Sequence, residues 1–143
     1  GLGAPAGTVL VGAKAFIGRA RRARKILGGA MRQAGLLAAA GLYALEHHVE
    51  RLADDHANAE RLATGLRALG LPVEPHSNMV FAKLPAERVV PLAEALRKQD
   101  ILILPGARMR LVTHLDVDAA AIDRAVEAFG SFFDASRPSA ARA

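Results

Sequence analysis

Within the first seventy residues only one stretch is built to be a β-strand, and one strand cannot make a sheet. Thr8-Val9-Leu10-Val11-Gly12 is a short apolar run, rich in β-branched residues and held between glycines, the pattern of a buried strand. Everything else up to residue 70 reads as helix. An isolated strand leaves two rows of backbone N–H and C=O groups unpaired and is unstable by itself. The sequence therefore predicts that residues 8–12 pair with strands this chain does not contain. A first residue of glycine rather than methionine points the same way, to an amino-terminal part that is missing.

Residues 14–27 predict a helix that begins apolar at Phe16 and Ile17, turns strongly basic, and stops at Gly28 and Gly29. From Met31 the period is helical for a long way. Leu42, Leu45, Val49, Leu52, His56, Ala59, Leu62, Leu66 and Leu69 fall three or four apart and make one continuous stripe. This is either one helix of about nine turns or two helices with a bend near His48; Gly70 and Pro72 end it. Beyond it Pro72, Pro75 and Ser77 mark turns. Residues 79–83 read as a strand, 87–99 as a helix with Val89, Leu92 and Leu96 inward, 101–104 and 108–113 as strands, and 119–133 as a helix. That last helix carries Ile122, Val126, Phe129 and Phe133 on one face, with Asp116 or Asp118 as its cap. The order β-α-β-β-α predicts a small sheet with helices packed on one face.

Several function classes lose support at this stage. The chain has no cysteine, which removes disulfide frameworks and thiolate metal sites. Its longest apolar run, residues 34–45, is about twelve residues, short of the ~20 a membrane helix needs, and no secretory signal opens the chain. The expectation is a cytoplasmic protein without a membrane partner. The net charge of +5 is local: Arg19, Arg21, Arg22, Arg24 and Lys25 put five positive charges into seven positions. With only 4% aromatic residues there is little for bases to stack on, so the run reads as a solvated helix face or an anion contact rather than a nucleic-acid surface.

Three clusters can carry chemistry. His48 and His56, eight apart with Asp55 beside them, could share a helix face, but metal-binding pairs usually sit four apart; His56, on the leucine stripe, reads as a core histidine with a hydrogen-bond partner. No metal site is expected. Arg110 sits in Arg110-Leu111-Val112-Thr113, where it shares a strand face with Val112. It is either an exposed edge-strand arginine or a receptor whose planar fork suits a carboxylate. Lys25-Ile26-Leu27-Gly28-Gly29-Ala30-Met31-Arg32-Gln33 is either a plain helix–helix turn or an anion site at the amino terminus of the second helix, flanked by Lys25 and Arg32.

Taken together, Gly1-Leu2-Gly3-Ala4-Pro5-Ala6-Gly7, Arg24-Lys25-Ile26-Leu27-Gly28-Gly29-Ala30-Met31-Arg32-Gln33-Ala34-Gly35 and Arg110-Leu111-Val112-Thr113-His114-Leu115-Asp116 resemble the low-specificity L-threonine aldolases. Asp54-Asp55-His56-Ala57-Asn58-Ala59 and Ser77-Asn78-Met79-Val80-Phe81 match lesser motifs in the same order. The resemblance implies the carboxyl-terminal part of an α/β, fold-type-I pyridoxal-phosphate-dependent transferase fold. Residues 1–35 would be the end of the large cofactor-binding domain, 36–70 the long interdomain helix region, 71–135 a small α+β domain with a mostly antiparallel sheet, and 136–143 a flexible tail.

It further implies cleavage of L-threonine, L-allo-threonine and related β-hydroxy-α-amino acids to glycine and an aldehyde, with pyridoxal 5'-phosphate as cofactor. The assembly would be a homotetramer whose sites are built between subunits. By resemblance Arg110 binds the substrate carboxylate, while Lys25 and Arg32 reach a neighbouring subunit's active site and meet the cofactor phosphate or its surroundings. The family's Schiff-base lysine directly precedes the Gly-Leu-Gly with which this chain opens, so the chain alone is expected to be inactive and to need the rest of the enzyme as partner. Lys14 opens a helix and is not that lysine. Relatives show a third glycine where this chain has Ala30, which would strain the loop if that position required positive φ. A different reading is a non-catalytic module that oligomerises through the long helix and the unpaired strand.

Overall fold

The structure, a computed structural model, describes residues 1–135; the tail expected at 136–143 lies outside the described residues. The elements run α1 (Lys14–Ile26), α2 (Gly35–His47), α3 (Leu52–Ala68), β1 (Val73–His76), β2 (Met79–Lys83), α4 (Ala86–Arg97), β3 (Arg108–Val112) and α5 (Ala119–Ala135). They fall into two compact units. One is Leu2–Glu50; the other starts at Arg51 and also takes in Gly1.

The Leu2–Glu50 unit is two helices with almost no interior: of its residues only Ala44 is buried. The strand expected at residues 8–12 does not form. No second strand lies in the unit to receive its hydrogen bonds, and Val9 and Val11 are left 79% and 80% exposed. The sharp end of α1 is readable from the sequence. Gly28 takes φ +77, its N–H bonds the Lys25 carbonyl (3.2 Å), and the Gly29 N–H bonds the Arg24 carbonyl (2.8 Å). This is a Schellman closure, in which a left-handed residue lets the last carbonyls find donors. Ala30 is not among the positive-φ residues, so the alanine causes no strain; the position that needs glycine is Gly28.

The apolar stripe is not one helix. The chain breaks between His47 and Leu52, which selects the two-helix alternative. Leu42, Leu45 and Val49 stay 60%, 54% and 44% exposed, whereas Ala59, Leu62 and Leu66 on α3 are buried. His56, expected in the core, is exposed. The buried polar residue is its neighbour Asp55, because α3 turns that flank inward.

In the second unit the element order is β-β-α-β-α after α3, not the expected β-α-β-β-α. The three strands form an antiparallel sheet in the order β1-β2-β3. β1 falls where only turns were expected, because Pro75 argues against a strand. As an edge strand β1 tolerates it, since a proline there need not donate to a ladder. Residues 101–104, expected as a strand, have no ladder partner. Their burial still alternates, with Leu102 and Leu104 76% and 75% exposed, so the period-2 pattern is present without the pairing.

Val80, Ala82 and Met109 point from the sheet into a core shared with Leu62 and Leu66 of α3, Leu92 and Leu96 of α4, and Ile122 and Phe129 of α5. The predicted inward faces of α4 and α5 are the observed ones, with Val126 and Phe133 half-buried at the margin. Asp118 is the cap of α5, its Oδ1 accepting the Ala121 N–H at 2.7 Å.

α3 and α5 cross closely at Gly65, where an added Cβ would lie 2.5 Å from Val126 Cγ2 and 2.7 Å from Cγ1. Gly65→Ala gains about 1 kcal/mol of helix propensity but overpacks a contact with a stiff β-branched side chain, costing about 1–3 kcal/mol. The expected net result is a lower denaturation midpoint; a raised midpoint would show that the helices separate freely.

Candidate active site

Alternation along the strands divides the sheet into two faces. Opposite the core lie Glu74 and His76 of β1, Met79, Phe81 and Lys83 of β2, and Arg108, Arg110 and Val112 of β3. The register aligns Glu74, Phe81 and Arg110 in one cross-strand row. Glu74 takes two of the three cations on this face: Lys83 Nζ at 3.2 Å and Arg108 Nη2 at 3.2 Å. Those two hydrogen bonds hold its carboxyl below the usual carboxylate range, Lys83 being the larger cause. The Arg108 guanidinium also lies 4.3 Å from the Phe81 ring centre, an attractive cation–π placement.

Arg110 is the third cation. It is exposed on the edge strand and, unlike the other two, forms no ion pair or hydrogen bond among the described residues. It lines a cleft of about 650 Å³ between the carboxyl-terminal half of β3, residues 101–104 and α5, with Thr113, Val117 and Arg124 also on its wall. An unpaired guanidinium at the rim of a partly apolar cleft has the charge and the planar fork that suit an anion of carboxylate size.

The end of β3 is held by buried polar contacts that sequence reading did not assign. Thr113 and Asp55 are each 1% exposed. The Thr113 hydroxyl donates to the Asp55 backbone carbonyl at 2.7 Å. Its N–H donates to the Asn78 carbonyl at 3.0 Å, and Asn78 Nδ2 returns a bond to the Thr113 carbonyl at 2.8 Å. The Asp55 carboxylate pairs with Arg51, one turn earlier, at 2.5 and 3.4 Å. One signal could have found this group: in a period-2 strand Thr113 shares the inward face of Met109 and Leu111, and a hydroxyl there needs a partner.

Lys25 and Arg32 belong to the Leu2–Glu50 unit, whereas Arg110 belongs to the other. Both are exposed and neither forms an ion pair or hydrogen bond among the described residues. They flank the Gly28-Gly29 closure. The histidines gather no metal site. His48 lies in the first unit, where its Nδ1 donates to the Leu2 carbonyl at 2.6 Å. His56 lies in the second, across the helix break. Among the described residues no three His, Asp or Glu side chains come together to hold an ion, and no helix is long and apolar enough to cross a membrane.

The fold has counterparts of known structure. Two transaminase structures superpose with TM-scores of 0.63 and 0.62 at 16% and 15% identity; each match covers 81% of this chain, and 33% and 31% of the transaminase respectively. The fold is therefore that of the matched part of these transaminases, α/β with a small antiparallel sheet. Residues 1–87 match the beta-eliminating lyase family, and the chain belongs to that family. It is 48% identical over 118 residues to the low specificity L-threonine aldolase of Escherichia coli K12, covering 82% of this chain and 35% of that one. Low-specificity L-threonine aldolase 1 of Arabidopsis thaliana is 38% identical over 141 residues, with 90% and 38% covered. The chain thus spans little more than a third of the length of these relatives.

Proposed function

We propose that this chain is the carboxyl-terminal portion of a pyridoxal-phosphate-dependent aldolase that cleaves L-threonine, L-allo-threonine and related β-hydroxy-α-amino acids to glycine and an aldehyde. The observation that carries the proposal is Arg110: of three cations on the open sheet face, it alone has no anion of its own among the described residues. The donor set suits the cofactor and its substrate, since Arg110 is matched to a carboxylate, and Lys25 and Arg32 are exposed cations without an ion pair or hydrogen bond among the described residues, suited to a phosphate. When bound, pyridoxal phosphate supplies an electron sink for the pair left on Cα as the Cα–Cβ bond breaks.

The contribution of this chain is orientation. A bidentate guanidinium–carboxylate contact anchors the substrate at its carboxylate, restricts rotation about the Cα–N bond and so limits which Cα substituent can be cleaved. Glu74 keeps Lys83 and Arg108 engaged, so Arg110 is the cation of this sheet face left to meet the carboxylate. Lys25 and Arg32 would act in a neighbouring subunit's site, in a homotetramer located in the cytoplasm. The domain limits 1–35, 36–70 and 71–135 go with this reading, and the rest of the polypeptide would cover the exposed apolar residues of the Leu2–Glu50 unit.

With pyridoxal phosphate, the complete gene product should release glycine and acetaldehyde in equal amounts from L-threonine. Release of ammonia and 2-oxobutanoate instead would make it an eliminating enzyme and overturn the proposal. Alone, the chain is proposed to be inactive. Its four lysines, Lys14, Lys25, Lys83 and Lys98, are all exposed and none lines the Arg110 cleft. Incubation with pyridoxal phosphate followed by borohydride should give no stoichiometric lysine adduct; specific labelling of Lys14 or Lys25 would contradict this.

A further inference from the structure

We propose that Thr113 is a positioning residue for substrate binding: its hydroxyl locks the end of β3 against α3, the Asn78 side chain ties the same residue to the β1–β2 turn, and together they fix the Arg110 guanidinium. This rests on the reading of Arg110 as the carboxylate receptor. β3 is an edge strand with a ladder on one side only, so β2 alone does not define where its free side lies. The lock supplies the missing restraint. Thr113 is bonded at all three of its polar groups: hydroxyl to Asp55 O (2.7 Å), N–H to Asn78 O (3.0 Å) and carbonyl from Asn78 Nδ2 (2.8 Å).

α3 also holds the segment that follows, through Asn58 Nδ2 to the Val117 carbonyl at 3.1 Å. Thr113 and Val117 both line the Arg110 cleft, so the groups fastened to α3 are the cleft's own wall. Arg110 lies three residues from Thr113, about 10 Å along a strand. A carboxylate fork tolerates little error, and a misplacement of about 1 Å in a binding group can cost up to a hundredfold. Threonine at an inward strand position, where an apolar side chain would pack as well, is thus explained by the hydroxyl.

The test is steady-state kinetics of Thr113→Val and Thr113→Ser in the complete gene product, with cofactor content and thermal midpoint measured alongside. Thr113→Val keeps the shape and removes the donor. It should raise KM for L-threonine about tenfold with kcat within about threefold and cofactor content unchanged, and Thr113→Ser should return KM to within about twofold of wild type. A purely structural role would lower the midpoint of Thr113→Val without moving KM, and that result, or a serine variant as poor as valine, would overturn the proposal. Should Thr113→Val fail to fold, Asn78→Ala removes the bond to the Thr113 carbonyl and is judged by the same KM shift. A wild-type protein that cleaves no β-hydroxy-α-amino acid would instead refute the function proposed above, and this inference with it.

Discussion

Replacing Arg110 with alanine in the complete gene product should lower kcat/KM for L-threonine by two to three orders of magnitude, that is by about 3–4 kcal/mol at about 1.4 kcal/mol per tenfold. The size follows from what is removed. A charge-assisted, bidentate contact is lost, and the substrate carboxylate is left in a partly apolar cleft without a counter-charge. Arg108 and Lys83 should not substitute, because Glu74 engages both at 3.2 Å. Arg110→Lys should recover only about tenfold, since an ammonium supplies the charge but not the planar fork. Steady-state kinetics with the three proteins checks this; a loss of less than about threefold in Arg110→Ala would remove Arg110 from substrate binding.

Leu66→Ala should destabilise the unit that begins at Arg51 by about 3–5 kcal/mol, the range for truncating a fully buried leucine in a core that cannot collapse around the void. Leu66 is 0% exposed and sits among Val80, Leu92, Met109 and Phe129. A unit of this size has a total stability of roughly 5–10 kcal/mol, so the substitution should remove much of it and broaden or abolish the cooperative transition. Val90→Ala, on the same scaffold but 58% exposed, should change stability by less than about 0.5 kcal/mol. Urea denaturation of the variants separates the two; equal effects would mean that the core is not where burial places it.

Period and punctuation made much of this fold legible. The strand at residues 79–83 and the inward faces of α4 and α5 follow from apolar spacing alone. The end of α1 follows from Gly28, and the sequence offers two aspartates as the cap of α5, of which Asp118 is used. The failures have a shared cause, which is that local pattern does not reveal pairing. Residues 8–12 and 101–104 carry strand composition but have no ladder partner among the described residues, so they remain outside any sheet. β1 shows the converse: Pro75 masks a strand that an edge position permits.

The apolar stripe points His56 at the core because spacing does not show on which side of a helix break the buried arc resumes; a shift of one position gives the interior to Asp55. Asp100, at φ 58, completes a Schellman closure of α4 where a glycine would have announced it. At the site, Arg110 stood out as a charged residue on an apolar strand. The Glu74 pairing that leaves Arg110 unengaged needs the register of three strands, and the Thr113 lock needs the position of α3; both are long-range facts.

The direct test of the account is a two-by-two binding cycle. Glycine and ethanolamine differ in whether a carboxylate is present, and wild type and Arg110→Ala differ in whether its receptor is. Measured as competitive inhibitors of the complete gene product, glycine should bind about a hundredfold more weakly to Arg110→Ala, whereas ethanolamine should change by less than about threefold. If both ligands lose the same factor, Arg110 does not receive the carboxylate and the proposed function loses its principal support.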